Sequence, residues 1–87
     1  MSSRFKKGMK RAVKRGLDAS LMQNVVDTLL AGIPLDCKYE DHPLQGKLKG
    51  MRECHIEPDW LLIYMIENDI LTLTLIDTGS HSDLFDM

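Results

Sequence analysis

The first thirty residues place apolar side chains at helical spacing. Phe5, Met9, Ala12 and Val13 follow one another at intervals of four, three and one, with basic residues between them. This pattern predicts an amphipathic helix over residues 3–15, and Gly16 is a typical C-terminal stop. A second helix is predicted after a cap at Asp18 or Ser20 and is ended by Gly32 and Pro34, giving a helical hairpin. Its broad apolar face comprises Leu21, Met22, Val25, Val26, Leu29 and Leu30.

The C-terminal half changes to a period of two. From Met51 onward, Met51, Glu53, His55 and Glu57 should face one way, whereas Arg52, Cys54 and Ile56 should face the other. A buried strand is predicted at 60–66 and another at 70–76, with Thr72 and Thr74 on its alternate face, joined by a hairpin turn at Asn68-Asp69. Pro58-Asp59 is a further turn, and Gly79 should end the last strand and leave a short tail.

Helices followed by antiparallel strands indicate an α+β fold, in which two N-terminal helices pack on one face of a small sheet. The 87 residues predict a single domain, residues 1–87, with 44% apolar side chains. Residues 33–50 form a loop long enough to suggest a functional role.

No apolar run approaches the length of a membrane span, and the basic N-terminus lacks the apolar segment of a signal peptide. Cys37 and Cys54 are too far apart for a CxxC site, so we expect reduced thiols in a cytoplasmic protein, with Cys54 in the core.

Charge is unevenly distributed. Residues 1–17 carry seven basic and no acidic side chains, whereas the remainder carries four basic and thirteen acidic ones. Such a basic block suits a polyanion such as RNA, although a solvated helix face or a surface for an acidic protein would have the same composition. The candidate RNA- or ribosome-binding residues are Arg4, Lys6, Lys7, Lys10, Arg11, Lys14 and Arg15.

Each of the three histidines lies in a short polar motif. His42 follows Asp41, His55 precedes Glu57-Pro58-Asp59, and His81 follows Gly79-Ser80. Imidazole exchanges protons near neutral pH, so the set suggests a metal-free acid–base site. The alternative is three unrelated surface histidines. HExxH and CxxC spacings of zinc sites and the P-loop motif are absent, so we expect no metal and no cofactor.

The same motifs resemble those of a known family. The strings Asp-His-Pro-Leu-Gln-Gly, Arg-Glu-x-His-Ile-Glu-Pro-Asp-Trp and Thr-Gly-Ser-His-Ser-Asp-Leu-Phe are similar to the YafQ branch of the RelE/ParE toxins, over about residues 3–85. The resemblance implies a ribosome-dependent mRNA endonuclease that a cognate antitoxin neutralises. It also implies a fold of two N-terminal helices on a small twisted antiparallel sheet.

The resemblance implies catalytic roles for four residues. His81 matches the family's C-terminal histidine and is assigned as general acid. His55 is the better candidate for the base, with Asp59 orienting an imidazole or sharing the proton. His42 would contact phosphate or take part in proton transfer.

Five further residues are candidates for substrate binding. Trp60 and Phe85 match family site positions and could stack on bases, although Trp60 could equally be a core residue. Lys47, Lys49 and Arg52 could stabilise phosphate charge.

Two features depart from the family pattern. Relatives usually begin with a short strand before the first helix, whereas this sequence begins at Met1-Ser2-Ser3, so either the strand is absent or the start has been trimmed or misplaced. Loss of the strand would leave a sheet edge exposed. Asp77 stands where relatives commonly have arginine, and its charge would repel phosphate. Both features favour an alternative function, a catalytically weakened binding module that engages an antitoxin or RNA without cleaving. A ParE-like gyrase poison would share the fold but lack these histidines.

Overall fold

The computed structural model describes residues 2–67 and 72–85. Within this part of the chain, two N-terminal helices precede a four-stranded antiparallel sheet with the strand order β1-β2-β3-β4. A short helix follows the last strand. The elements are α1 (Ser3–Lys14), α2 (Ala19–Leu30), β1 (His42–Pro43), β2 (Arg52–Glu57), β3 (Trp60–Glu67), β4 (Thr72–Gly79) and α3 (His81–Phe85).

Both N-terminal helices begin at a side-chain cap, and the cap predicted for the second helix at Asp18 is confirmed. The Ser2 hydroxyl accepts a hydrogen bond from Phe5 N, and the Asp18 carboxylate accepts one from Ser20 N. The hydroxyl and backbone N–H of Ser20 lower the pKa of Asp18. Between the helices Gly16 adopts a φ of 82°, which lets the chain leave α1 without a Cβ clash. The predicted bounds of both helices agree with the structure to within about two residues.

The core lies between the two helices and one face of the sheet. Its buried apolar members are Phe5, Ala12, Met22, Val25, Cys54, Ile56, Trp60, Leu62, Tyr64 and Leu75. The prediction that Cys54 is a core residue is confirmed, because its side chain is 0% exposed. Gly8 allows α1 to lie directly on β4, since a Cβ there would be 2.3 Å from the Thr78 carbonyl oxygen.

The period of two in β2 also holds. Cys54 and Ile56 join the core, so the alternation directs Glu53 and His55 to the opposite face of the sheet. The pairing of β2 with β3 shifts between His55 and Glu57, and the turn predicted at Pro58-Asp59 joins the two strands.

Three regions differ from the sequence prediction. The loop at 33–50 contains the strand β1 and two 3₁₀ turns, at Cys37–Tyr39 and Gly46–Leu48. The expected C-terminal tail folds into α3, because Ser80 and Asp83 cap its start reciprocally: Asp83 N donates to the Ser80 hydroxyl at 3.2 Å, and Ser80 N donates to the Asp83 carboxylate at 2.9 Å. The strand predicted at 70–76 is observed at Thr72–Gly79, and both its predicted start and the Asn68-Asp69 turn lie outside the described residues.

The N-terminus approaches the outer side of β4. Ser2 N donates to the Leu75 carbonyl oxygen at 3.2 Å, and the Ser2 hydroxyl donates to the Ile76 carbonyl. Within residues 2–67 and 72–85, no strand precedes α1. In the same residues, no helix has the length and apolar character needed to cross a membrane.

Candidate active site

The fold brings the three histidines together from three separate elements. The ring centroids of His42 and His55 are 6.4 Å apart, and those of His55 and His81 are 5.6 Å apart. His42 lies on β1, His55 on β2 and His81 at the start of α3. The alternative of three unrelated surface histidines is therefore wrong.

Sheet register accounts for this assembly. His42 pairs with Glu53, the residue two before His55, which places β1 beside the middle of β2. On the other side, His55 pairs with Leu61 and Leu61 pairs with Gly79. His81 follows Gly79 by two residues, so it lies just beyond the end of β4, close to the cross-strand row of His55, Leu61 and Gly79.

A buried carboxylate joins two of the histidines. Oε1 of Glu53 lies 3.5 Å from Nε2 of His42 and 3.5 Å from Nε2 of His55. Glu53 is only 5% exposed, and a buried carboxylate is costly unless polar or charged groups surround it. Sequence reasoning assigned Glu53 no role, although the period of two already placed it on the same face as His55.

Glu40 contacts two of the histidines from the 3₁₀ turn that precedes β1. Its carbonyl oxygen lies 2.6 Å from Nδ1 of His42, so this nitrogen must be the donor. Its carboxylate lies 3.6 Å from Nδ1 of His55, which is too long for a hydrogen bond. Among residues 2–67 and 72–85, Nδ1 of His55 consequently has no hydrogen-bond partner, although it is buried. Glu40 achieves these contacts from a left-handed backbone conformation, with φ of 49°.

Asp59 orients His81. Its Oδ1 lies 2.9 Å from Nδ1 of the imidazole and accepts a hydrogen bond from the backbone N–H of His81 at 3.1 Å. Both hydrogen bonds lower the pKa of Asp59, and the bond from the backbone N–H has the larger effect. Asp59 is therefore a carboxylate at neutral pH. A carboxylate can only accept, so the proton on this side belongs to Nδ1, and Nε2 is the nitrogen that can exchange protons.

A second carboxylate anchors the turn that carries His81. Asp83 accepts hydrogen bonds from Arg15 at 2.6 and 3.2 Å and from Ser80 N at 2.9 Å, and Arg11 Nε lies 3.4 Å away. The pKa of Asp83 is held far below its usual range, mainly by the hydrogen bond from the Arg15 guanidinium and to a smaller extent by the one from the Ser80 N–H. Helix α1 is thereby tied to α3, with Arg11 also donating to the Thr78 carbonyl at 3.2 Å.

The basic residues of α1 consequently divide into two groups. Arg11 and Arg15 hold Asp83, and Arg4 lies 3.6 Å from Asp77, so all three arginines have partners within the chain. The four lysines of the helix are exposed and free of this network of arginine contacts; they are Lys6, Lys7, Lys10 and Lys14.

Asp77 forms an ion pair with a residue of α1, since its Oδ2 lies 3.6 Å from Nε of Arg4. In its cross-strand row, Ile63 stands between Asp77 and Glu53, so two strand spacings, about 10 Å, separate the two acidic residues. Its charge is partly balanced by Arg4 and lies apart from the histidine cluster. Whether the remaining charge of Asp77 repels a phosphate held by the histidines stays a prediction.

The two aromatic candidates occupy different environments. Trp60 is 1% exposed, and its indole N–H donates to the Thr78 hydroxyl at 3.0 Å in the core. The expectation that Trp60 stacks on a base is therefore wrong, and the alternative of core packing is correct. Phe85 is half-buried on α3, and its ring centroid is 6.5 Å from that of His81. Phe85 thus borders the cluster.

The three basic candidates near the motifs also differ. Arg52 lies 3.2 Å from Asp41, which also accepts a hydrogen bond from the Tyr64 hydroxyl at 2.6 Å. Asp41 raises the pKa of Arg52 and keeps this guanidinium engaged at the base of the loop. Lys47 and Lys49 are exposed in the connection between β1 and β2.

The cluster also has the composition of a cation site. Glu53, His55 and His81 each offer one ligand atom, and these atoms lie within 4.8 Å of one another. Two ligands at roughly 2.1 Å from a common metal are at most about 4.2 Å apart, so binding would require the side chains to move slightly closer. Sequence spacing did not reveal this grouping, because the ligands come from two distant segments.

Comparison with known proteins decides the family. The family model described as bacterial toxin of type II toxin–antitoxin system, YafQ, matches residues 1–86. The chain belongs to the YafQ family. It is 40% identical over 85 residues to the mRNA interferase toxin YafQ of Escherichia coli K12, covering 97% of this chain and 90% of that protein. The family expected from the three motifs is thereby confirmed.

Solved structures of similar proteins have the same fold. YafQ from E. coli BL21(DE3) superposes with a TM-score of 0.90 at 39% identity, covering 97% of this chain and 92% of that one. A metal-bound toxin from Helicobacter pylori gives 0.89 at 50% identity, with 97% and 93% covered. The E. coli DinJ-YafQ complex gives 0.88 at 40% identity, with 97% and 92% covered. The predicted α+β fold is confirmed.

Proposed function

We propose that this protein is the toxin of a type II toxin–antitoxin system and cleaves mRNA on the translating ribosome. The observation that carries the proposal is the histidine cluster, in which His42, His55 and His81 converge from three elements with ring centroids 6.4 and 5.6 Å apart. Family membership and the relative named mRNA interferase toxin support the same activity.

The cleavage uses the RNA's own 2′-hydroxyl as the nucleophile. His55 removes the proton from this hydroxyl, whose oxygen then bonds to the adjacent phosphorus. The bond from phosphorus to the 5′-oxygen breaks, leaving a 2′,3′-cyclic phosphate. Glu53, 3.5 Å from Nε2 of His55, stabilises the positive charge that the imidazole gains.

His81 supplies the proton for the leaving 5′-oxygen. Asp59 fixes the proton on Nδ1 and the orientation of the ring, so that Nε2 can donate toward the RNA. His42, about half exposed at the edge of the cluster, contacts the phosphate. A positioned general acid or base contributes roughly 10²–10⁴-fold to the rate, so this pair accounts for much of the catalysis.

Ribosome binding is assigned to the exposed lysines of α1. Lys6, Lys7, Lys10 and Lys14 can neutralise rRNA phosphates, as can the largely exposed Arg4, whereas Arg11 and Arg15 are engaged with Asp83. Lys47 and Lys49 extend the positive charge beside the site, and Phe85 offers a ring next to His81 for a base.

The partner of the free toxin is a cognate antitoxin. The E. coli relative is seen in complex with DinJ, and a partner of the same kind would neutralise this protein in the cytoplasm. A small acidic protein that covers the α1 lysines and the histidine cluster would block both ribosome binding and chemistry.

Cleavage by the purified protein tests the proposal directly. A reporter mRNA is incubated with the protein alone and with translating ribosomes, and the ends of the fragments are mapped. The expected result is cutting only on ribosomes, with cyclic phosphate ends, together with growth arrest when the gene is induced without an antitoxin. Intact mRNA and normal growth with soluble, folded protein would instead support a binding module that does not cleave.

A second candidate function is metal binding by the same cluster. Glu53, His55 and His81 supply ligand atoms within 4.8 Å, and similar H. pylori toxins are known in metal-bound and copper-bound forms. A divalent transition-metal ion such as Cu²⁺ or Zn²⁺ would occupy the imidazoles that cleavage requires, so it would inhibit rather than assist. Titration calorimetry with Cu²⁺ and Zn²⁺ tests this, because His81→Gln should weaken binding and EDTA should restore cleavage.

A further inference from the structure

A pocket of about 400 Å³ opens directly beside His55. It lies between the start of α2, the 3₁₀ turn at Cys37–Tyr39 and the end of β2, and His55 forms one of its walls. Its volume falls within the roughly 300–1,000 Å³ typical of small-molecule sites. The acid–base cluster described above includes only His55 and Glu40 of the lining residues, so the other walls of the pocket have no role in it.

An aromatic ring forms one wall of the pocket. Tyr39 is half-buried, and the Lys38 ammonium lies 5.1 Å from its ring centroid. The turn that carries it is fixed, because the Asp36 carboxylate caps Lys38 N at 3.0 Å and Tyr39 N donates to the Asp36 carbonyl at 3.0 Å. The ring itself packs against the core, so it can stack on a planar ligand with little loss of side-chain entropy.

Polar groups stand at the edges of the pocket. Asn24 contributes a side-chain amide, which can both donate and accept hydrogen bonds, from the exposed side of α2. Glu40 and Glu57 contribute carboxylates, which only accept. Two acidic residues against the single cation of Lys38 make the pocket unfavourable for a phosphate and suitable for a neutral group that donates hydrogen bonds.

We propose that this pocket binds the base of the nucleotide adjoining the cleaved bond and so contributes to cleavage-site selection. The inference rests on the proposed endonuclease function. The base would stack on Tyr39 and contact Asn24 and Glu57, while its ribose lies beside His55. His55, whose imidazole removes the 2′-proton, forms one wall of the pocket. A nucleotide whose nucleobase is held there would therefore place its own 2′-hydroxyl next to this general base.

The acceptor-rich edge also sets a preference among bases. Adenine, cytosine and guanine each carry an exocyclic amino group that can donate to a carboxylate, whereas uracil has no amino group and offers only its ring N3–H. Sites with an amino-bearing base at this position should therefore be cut faster than sites with uracil. Loss of the Glu57 charge should reduce this preference.

Nucleotide binding can be measured without any cleavage. Amide NMR spectra are recorded while adenosine, cytidine and uridine 3′-monophosphates, or inorganic phosphate alone, are titrated into the protein. We expect shifts at Asn24, Tyr39 and Glu57 with adenosine and cytidine monophosphates, smaller shifts with uridine monophosphate and none there with phosphate. Equal shifts with phosphate alone, or shifts confined to the α1 lysines, would overturn the proposal.

Cleavage-site mapping then tests selection. Tyr39→Ala should reduce cleavage at preferred sites about 10-fold, in line with the loss of one stacking contact, whereas Tyr39→Phe should retain it. Asn24 and Glu57 lie at the edge of the pocket. Asn24→Ala and Glu57→Gln therefore also test cleavage-site selection, but they do not remove the Tyr39 ring, which packs against the core. Gln23→Ala is the matched control, because Gln23 bonds Asp27 on another side of α2.

The two proposals fail in different ways. If the wild-type protein never cleaves mRNA but the pocket residues shift with nucleotides, the endonuclease function fails and the base pocket stands. If the wild type cleaves and the Tyr39, Asn24 and Glu57 variants all retain its rate and its distribution of cut sites, the pocket has no part in selection and the inference is wrong.

Discussion

The carboxylate of Glu53 lies 3.5 Å from Nε2 of His55 on the face of β2 that points away from the core. The same oxygen is 3.5 Å from Nε2 of His42, so one buried acid serves two imidazoles that belong to different strands. In a site that performs proton transfer, this acid stabilises positive charge on either ring and sets the distance between them.

Glu53→Gln should reduce catalysis more than it reduces binding. Glutamine keeps the size of the side chain but removes its negative charge, so cleavage on ribosomes should fall at least ~10-fold. Ribosome binding, which depends on the α1 lysines, should be unchanged in co-sedimentation. Glu67→Gln, an exposed change at the end of β3, is the control. Equal cleavage by Glu53→Gln and wild type would remove this carboxylate from the mechanism.

Much of the fold follows from local patterns. The spacing of Phe5, Met9 and Ala12, the cap at Asp18 and the alternation around Cys54 each depend on neighbours in the sequence, and they predict the observed elements closely. Helix α3 was missed because it is short and depends on Asp83 contacts with Ser80 and with Arg15, sixty-eight residues away.

The candidate site was only partly predictable for the same reason. The three histidine motifs indicated the right residues, but their partners depend on strand register. Two of these contacts follow from the register of the sheet and not from spacing along the sequence. They are the pairing of Asp59 with His81 and the position of Glu53 between His42 and His55. The charge pattern alone also could not separate Arg11 and Arg15, which pair with Asp83, from the lysines of α1.

Asp83→Asn should destabilise the protein and lower cleavage together. Asp83 accepts from Arg15 and from Ser80 N, and these contacts hold the turn that carries His81. The loss should be about 1–2 kcal/mol in the free energy of unfolding, less than for a buried pair because the arginines are partly exposed. Urea unfolding measures it, with Asp27→Asn on the surface of α2 as control. An unchanged midpoint and unchanged cleavage would contradict the role of Asp83 as an anchor.

The Asp83 effect should depend on pH in a defined direction. The folded protein depresses the pKa of Asp83, so its stabilising contribution is fully present above the unfolded value of about 4 and is lost as pH falls below it. The difference in stability between wild type and Asp83→Asn should therefore be constant near neutrality and shrink in acid. A difference that grows as the pH is lowered would have the wrong sign.

Gly8→Ala should destabilise the fold, although alanine ordinarily stabilises a helix by about 1 kcal/mol relative to glycine. The added Cβ would lie 2.3 Å from the Thr78 carbonyl oxygen, so α1 would have to move away from β4. Thermal unfolding should show a lower midpoint for Gly8→Ala than for Lys10→Ala, an exposed change on the same helix. A midpoint equal to or above that of the wild type would show that α1 does not lie this close to the strand.

The two cysteines should differ in reactivity. Burial raises the pKa of the Cys54 thiol to about 12, and Cys54 is in the core, whereas Cys37 is exposed on its 3₁₀ turn. In folded protein at pH 8, a thiol reagent should label Cys37 rapidly and Cys54 only on the timescale of unfolding. Cys37→Ser should abolish the fast phase. Fast labelling of both thiols in the wild type would contradict the assigned core.

His81 carries the central claim, and His81→Gln tests it most directly. Glutamine can form hydrogen bonds but cannot deliver a proton at neutral pH, so it separates positioning from acid catalysis. The decisive measurement is the single-turnover rate of mRNA cleavage with saturating ribosomes, for the wild type and for His81→Gln. We expect the rate to fall ~10²–10⁴-fold while ribosome co-sedimentation and circular dichroism are unchanged. A cleavage rate near that of the wild type would contradict the account, because the proton for the 5′-oxygen would then have to come from another group.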